Sequence, residues 1–225
     1  MNNRLPMVIS LLLVAAMLGA SLWAWTALPA DIRIPIHWGF DGMPNGFAGK
    51  TAGLLFAPLL AAAISILFFV IPLVEPRRAN LVSSSKFYRA SWIGIVVLMT
   101  AVHGATVAAA LHYRVNVGSV VLASVSLLFM VIGNYLGKSR SNFFAGVRTP
   151  WTLSSEYSWQ RTHILAGRLF IAAGALGFAT TLALPVRDAS HVFFVAMAAT
   201  VVLSVVASYV FWLRDPDRKS GNGAQ

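Results

Sequence analysis

Six stretches of about 20 residues run almost without charge: Met7 to Leu28, Gly53 to Val74, Ser91 to Leu111, Val117 to Leu136, Ile164 to Leu184 and Val192 to Leu213. Each is long enough to cross a hydrocarbon core of about 30 Å as a helix. The pattern predicts an all-α membrane protein with six transmembrane helices. Only the fifth stretch contains a formal charge, Arg168, close enough to one end for its side chain to reach the headgroups. Pro58 and Pro72 in the second remove helix hydrogen bonds and are expected to kink it or fray its end. The first apolar run exceeds the roughly 7–15 residues of a signal-peptide core and is read as a retained anchor.

Short connections, His112 to Asn116 and Pro185 to His191, make spans three and four, and five and six, antiparallel hairpins. Polar residues gather instead in three loops, 29–52, 75–90 and 137–163. The first begins with a strict alternation: Ile32, Ile34, Ile36 and Trp38 against Asp31, Arg33, Pro35 and His37. Period two means extended chain, and Pro35 restricts it to an edge or isolated strand. Asp41-Gly42 and Asn45-Gly46 then supply turn chemistry. The division of the chain is expected at residues 1–74, a two-helix unit with the first loop, and 75–225, a four-helix unit.

Charge gives this array a direction. Of the 17 Lys and Arg, twelve lie at the end shared by the termini: Arg4, Arg77, Arg78, Lys86, Arg89, Lys138, Arg140, Arg148, Arg161, Arg214, Arg218 and Lys219. Arg33, Lys50, Arg114 and Arg187 lie at the other. The positive-inside rule therefore puts both N- and C-termini in the cytoplasm and the 29–52 loop outside. Topology thus accounts for the net charge of +10, and direct nucleic-acid binding is not expected. The basic loop "EPRRANLVSSSKFYRA" is read as a topology determinant touching anionic headgroups, and the tail "RDPDRKSGNGAQ" as disordered. With 58% hydrophobic residues, a mean hydropathy of +0.74 and no cysteine, the bilayer is the first partner and thiolate chemistry is excluded.

The polar chemistry concentrates in the loop 137–163. Asn134 lies near its start, followed by Asn142, Gly146 and the turn Arg148-Thr149-Pro150-Trp151. Thr152 or Ser154 is expected to cap a helix whose first turn contains Glu156. On it Glu156, Trp159 and His163 fall at i, i+3 and i+7 with Thr162 adjoining, and Arg148 and Asn142 are expected to fold over that stripe. No nucleophile elbow, HExxH, phosphate loop or carboxylate pair accompanies it, so binding rather than catalysis is the reading, with aromatic and Arg side chains as partner contacts. In the first loop His37 with Asp31 and Asp41 lacks the paired spacing of a metal site. His37 and Trp38 are read as part of a shaped outward surface. No cofactor or metal is expected. His103, inside the third span, is read as packed and hydrogen-bonded, because no span holds a carboxylate to pass a proton onward.

"GNYLGKSRSNFFAGVRTPWTLSSEYSWQRTH", Gly133 to His163, resembles the signature of the SdpI-like immunity family: G-N, then N-x-x-x-G-x-R-T-P-W-T-L, then E-x-x-W-x-x-T-H. "IPIHWGFDGMPNG" is similar to the P-x-H-W-x-x-x-G segment of the membrane domain of unknown function that commonly precedes it. The resemblance implies an integral protein of the bacterial cytoplasmic membrane that protects against a secreted sporulation-delaying peptide toxin. In the best-studied member it also implies sequestration of a cytoplasmic autorepressor. The expected function is immunity with coupled signalling, the toxin meeting the outer face and the repressor the inner. A small-molecule or ion transporter, or an envelope-stress sensor, is the alternative, though no mid-membrane carboxylate or repeat favours transport.

Overall fold

The computed structural model describes residues 2–39, 41–143 and 145–220. Its elements are α1 (Arg4–Ala27), β1 (Arg33–Trp38), β2 (Pro44–Gly49), α2 (Lys50–Val74), α3 (Arg78–Ser83), α4 (Ser85–Ala110), α5 (Val117–Leu136), α6 (Pro150–Ser154), α7 (Glu156–Ala183), α8 (Val186–Leu213) and α9 (Pro216–Ser220). Six of them, α1, α2, α4, α5, α7 and α8, are long and apolar enough to span a membrane. An even number of antiparallel spans leaves the start of α1 and the end of α8 at one face, with the β-hairpin on the opposite face.

Helix α4 is the hub. It packs on α1 and α2 on one side and on α5 on the other, and α5 packs on α7, which packs on α8. No driving force from water pulls helices together in lipid, so close backbone approach must supply contact. Gly133 of α5 and Gly167 of α7 provide it: a Cβ on either would stand 2.6 Å from the other's carbonyl oxygen. Trp92 and Val96, both fully buried, fill the α4 side with Ile71, Leu81 and Tyr88. The outward faces carry exposed Leu12, Leu22, Leu59, Ile66, Leu182 and Val195, the side chains expected against lipid.

Four details depart from the sequence reading or narrow it. First, of the two alternatives for the period-two segment, the edge strand is the one formed and the isolated strand is not. The segment is strand β1, paired antiparallel with β2 in a two-stranded sheet whose register is irregular on either side of His37. Both strands of such a sheet are edges, so Pro35 is tolerated. Ile34, fully buried, pins the hairpin to Ala24, Leu54, Val107 and Ala110. Second, α2 begins at Lys50, ahead of the apolar run, and continues through Pro58 and Pro72 to the expected end at Val74. Third, α8 starts at Val186, leaving only Leu184 and Pro185 between α7 and α8. Pro185 presets φ (−53°) at the N-cap and Asp188 lies in the first turn, so charges that end an apolar run here begin a helix. Fourth, the tail is ordered as far as 220. Asp215 receives the backbone N–H of Asp217 and the Ser155 hydroxyl, and the Arg218 guanidinium lies 3.9 Å from the Trp212 ring centre. The reading of residues 221–225 as disordered lies outside the described residues.

Candidate functional site

At the hairpin face, His37 is exposed and its Nδ1 lies 2.6 Å from Asn45 Oδ1 across the sheet. The amide oxygen accepts, so the imidazole donates there. Trp38, half-buried, separates two hollows. Above it a cleft of 470 Å³ runs between the hairpin and the α4–α5 turn, with Arg114 on its wall. Below it a cavity of 210 Å³ is lined by Phe56 and Ala57 of α2, Met99, Val102 and His103 of α4, and Val121 of α5. His103 Nε2 lies 3.2 Å from Met17 O and 3.0 Å from Ser21 Oγ, whose hydroxyl donates to Leu54 O. Two groups that can only accept there make Nε2 a protonated nitrogen.

The opposite face holds the loop 137–163. Its buried half is built around Trp159 and His163, stacked with centroids 4.0 Å apart. Trp159 Nε1 donates to Ser139 O; His163 Nδ1 donates to Trp159 O; His163 Nε2 accepts the Val147 N–H at 2.9 Å. The loop can cross the imidazole only because Gly146 has no side chain: its φ is +115°, and a Cβ there would collide with His163 Nε2. Asn142, fully buried, donates to Arg140 O and accepts from Ala145 N. Thr162 is fully buried beside His163, and its hydroxyl has no hydrogen-bond partner among the described residues.

Thr149 and Ser155, rather than Thr152 and Ser154, are the caps. Thr149 closes a capping box with Thr152 at the start of α6, with Pro150 as its first residue; Ser155 accepts from Ser158 N at the start of α7. The sequence suggested one helix where two short-spaced N-termini exist, and each needs its own acceptor. Thr149 also donates to Ser208 Oγ, Ser158 donates to Ser208 O, and Trp151 packs on Tyr209, fastening the loop to α8.

Of the proposed stripe, Trp159, Thr162 and His163 are together and buried, while Glu156 is exposed at the first turn of α7. Arg148 is exposed and donates to Phe143 O, so it forms no pair with Glu156 across the stripe. Glu156 and His163 do not share one pocket, and His163 has both nitrogens engaged. Asn134 stands exposed on α5, outside the cluster.

The basic loop is hydrogen-bonded to the loop 137–163. Glu75, buried, accepts the N–H groups of Arg77 and Phe143. Arg77 donates to Ser141 Oγ and Leu153 O and lies 4.7 Å from the Phe143 ring centre. Asn80 donates to Ser141 O, and Ser84 Oγ accepts from Arg140 N. Together they clasp 137–153 from a loop about 60 residues earlier. No local pattern announces such pairing; the one signal was Glu75, an acid at a span end otherwise flanked by bases.

Residues 138–211 match the SdpI/YfhL protein family, and residues 12–62 match DUF1648, a domain of unknown function. The chain is similar to the Immunity protein SdpI of Bacillus subtilis (strain 168), 22% identical over 211 residues, covering 91% of this chain and 95% of that protein. No solved structure matches. The resemblance of the loop to the SdpI-like signature, and that of the hairpin segment to the membrane domain of unknown function before it, are therefore borne out, and the chain is a multi-pass protein of the bacterial inner membrane that carries an SdpI/YfhL family segment behind a DUF1648 segment.

Proposed function

We propose that this chain is an immunity protein that neutralises a secreted peptide toxin at its hairpin face and sequesters a cytoplasmic repressor at the face bearing the termini. The observation that carries the reading is the reach of the similarity to the Bacillus subtilis immunity protein, which covers nearly the whole of both chains and so includes both polar ends. The two ends differ in a way that suits the two tasks. The hairpin face is concave beside His37 and Trp38. The opposite face exposes Phe143, Arg148, Pro150, Glu156 and Arg161 over a hydrogen-bonded interior, beside a polar cleft of 590 Å³ between residues 76–80 and 153–156.

On this reading residues 1–74 supply most of the toxin-facing surface and 75–225 the repressor-facing one. Trp159 and His163 hold that second surface in shape, whereas Arg148 contacts the partner.

The test is expression of this chain in a Bacillus subtilis strain lacking its own immunity protein and exposed to the sporulation-delaying toxin. Survival is expected for wild type and for Arg148→Ala, with partner pull-down lost only in the latter. Toxin sensitivity equal to that of an empty vector would sink the immunity reading.

A further inference from the structure

The outer cleft and the cavity beneath Trp38 are adjacent compartments with common walls, Pro35 and Trp38. Helix α4 packs on both α2 and α5, while α2 and α5 share no substantial contact. The cavity therefore lies on α4 in the gap between those two helices, under the hairpin. Its lining is apolar apart from His103 and Thr106. His103 commits Nε2 to Ser21 and Met17, which leaves Nδ1 without a hydrogen-bond partner among the described residues, on a side chain that is 2% exposed and lines the cavity. In the cleft above, Arg114 is the one charged residue on the wall, and it has no hydrogen-bond or ion-pair partner among the described residues.

We infer that this double hollow is the recognition site for an apolar peptide end: a hydrophobic side chain fills the cavity, a peptide N–H donates to His103 Nδ1, and the terminal carboxylate meets Arg114. The inference rests on the immunity reading for its biological meaning, and it goes beyond that reading by naming the pocket and the chemistry. A lone cation at the mouth of an apolar pocket favours a ligand with one anionic end. A backbone segment supplies the donor that a lipid acyl chain lacks.

The probes are a dansyl-labelled Leu-Ile-Phe-Leu peptide with a free carboxylate, the same peptide as its C-terminal amide, and dodecanoate, each titrated against the full chain in phosphatidylglycerol nanodiscs. The free acid should bind about fivefold more tightly than the amide, the scale of one partly exposed ion pair. Arg114→Ala should abolish that preference. Ala57→Trp and Val121→Phe, which fill the cavity, should each weaken the free acid by about tenfold or more while the thermal melt shows the fold retained.

Unchanged peptide binding in both filled variants, or saturable binding of dodecanoate with none of the peptide, overturns the assignment; the second outcome would make the cavity a lipid-tail site. The survival assay reads the broader proposal separately. A wild type that binds the free-acid peptide but gives no protection loses the immunity reading and keeps the pocket.

Discussion

Gly146 carries more of the loop's shape than any neighbouring side chain. It combines a left-handed φ of +115° with a path that passes directly over His163 and Trp159. An alanine there meets both penalties, backbone strain and overlap with a ring that has nowhere to go. Gly146→Ala is expected to cost about 2 kcal/mol, read as a lowered melting temperature in detergent together with faster protease cleavage between 138 and 149. A melt and cleavage pattern matching wild type would mean the loop does not cross the imidazole.

The sequence placed Trp159, Thr162 and His163 on one face correctly, because helical spacing decides which residues share a stripe. It could not say whether that stripe faces water or the bundle. Trp159 looked like a docking aromatic and is 1% exposed. Glu156, three residues earlier, is exposed although Ser158 on the same turn of α7 is fully buried, so its place around the helix, not the turn as a whole, puts it outside the cluster.

At the scale of elements, the spans were legible and their joints were not. Apolar length locates a membrane helix, so α5 matches Val117 to Leu136 at both ends. Charges near the boundary obscured the start of α8, where Pro185 and Asp188 promote a helix that hydropathy does not count. The clasp was illegible for a different reason. Arg77 and Ser141 are 64 positions apart, and nothing in either loop encodes the partner.

The consequence is a measurable dependence of one loop on the other. Arg77→Ala removes the donor to Ser141 and Leu153 and the cation over Phe143 at once. A loss of about 1–3 kcal/mol is expected, seen as new proteolysis within 137–153 although the substitution lies far away in sequence. Cleavage confined to 75–90 would show that the two loops are independent.

For the whole molecule, the charge distribution predicts the orientation, and the even span number puts both termini on one face. Because the chain contains no cysteine, single cysteines can report sidedness without background. A membrane-impermeant maleimide added to intact cells is expected to label Asp41→Cys on the hairpin face and to spare Lys138→Cys until the membrane is permeabilised. The reverse pattern would place the hairpin in the cytoplasm. The six-span architecture and the family motif could be read from sequence because both are local properties of composition and spacing. The hollow beneath Trp38 could not, since it depends on a gap between α2 and α5 that only three-dimensional packing creates.

The two-residue joint between α7 and α8 also bears on how this protein can vary in length. The pair is fixed at one end by Leu184 and Pro185, and at the other by Ser158 on Ser208 and Ser155 on Asp215. One residue added within the first turn of α8 would rotate everything after it by about 100°. Ser204, Ser208 and Asp215 would swing from the seam toward lipid or water. Insertions and deletions among functional variants should therefore be absent from 155–215 and be found, where they occur, in the hairpin turn or past α9. Such a stretch behaves as a ruler of fixed count, one that tolerates changes of letter far better than changes of length.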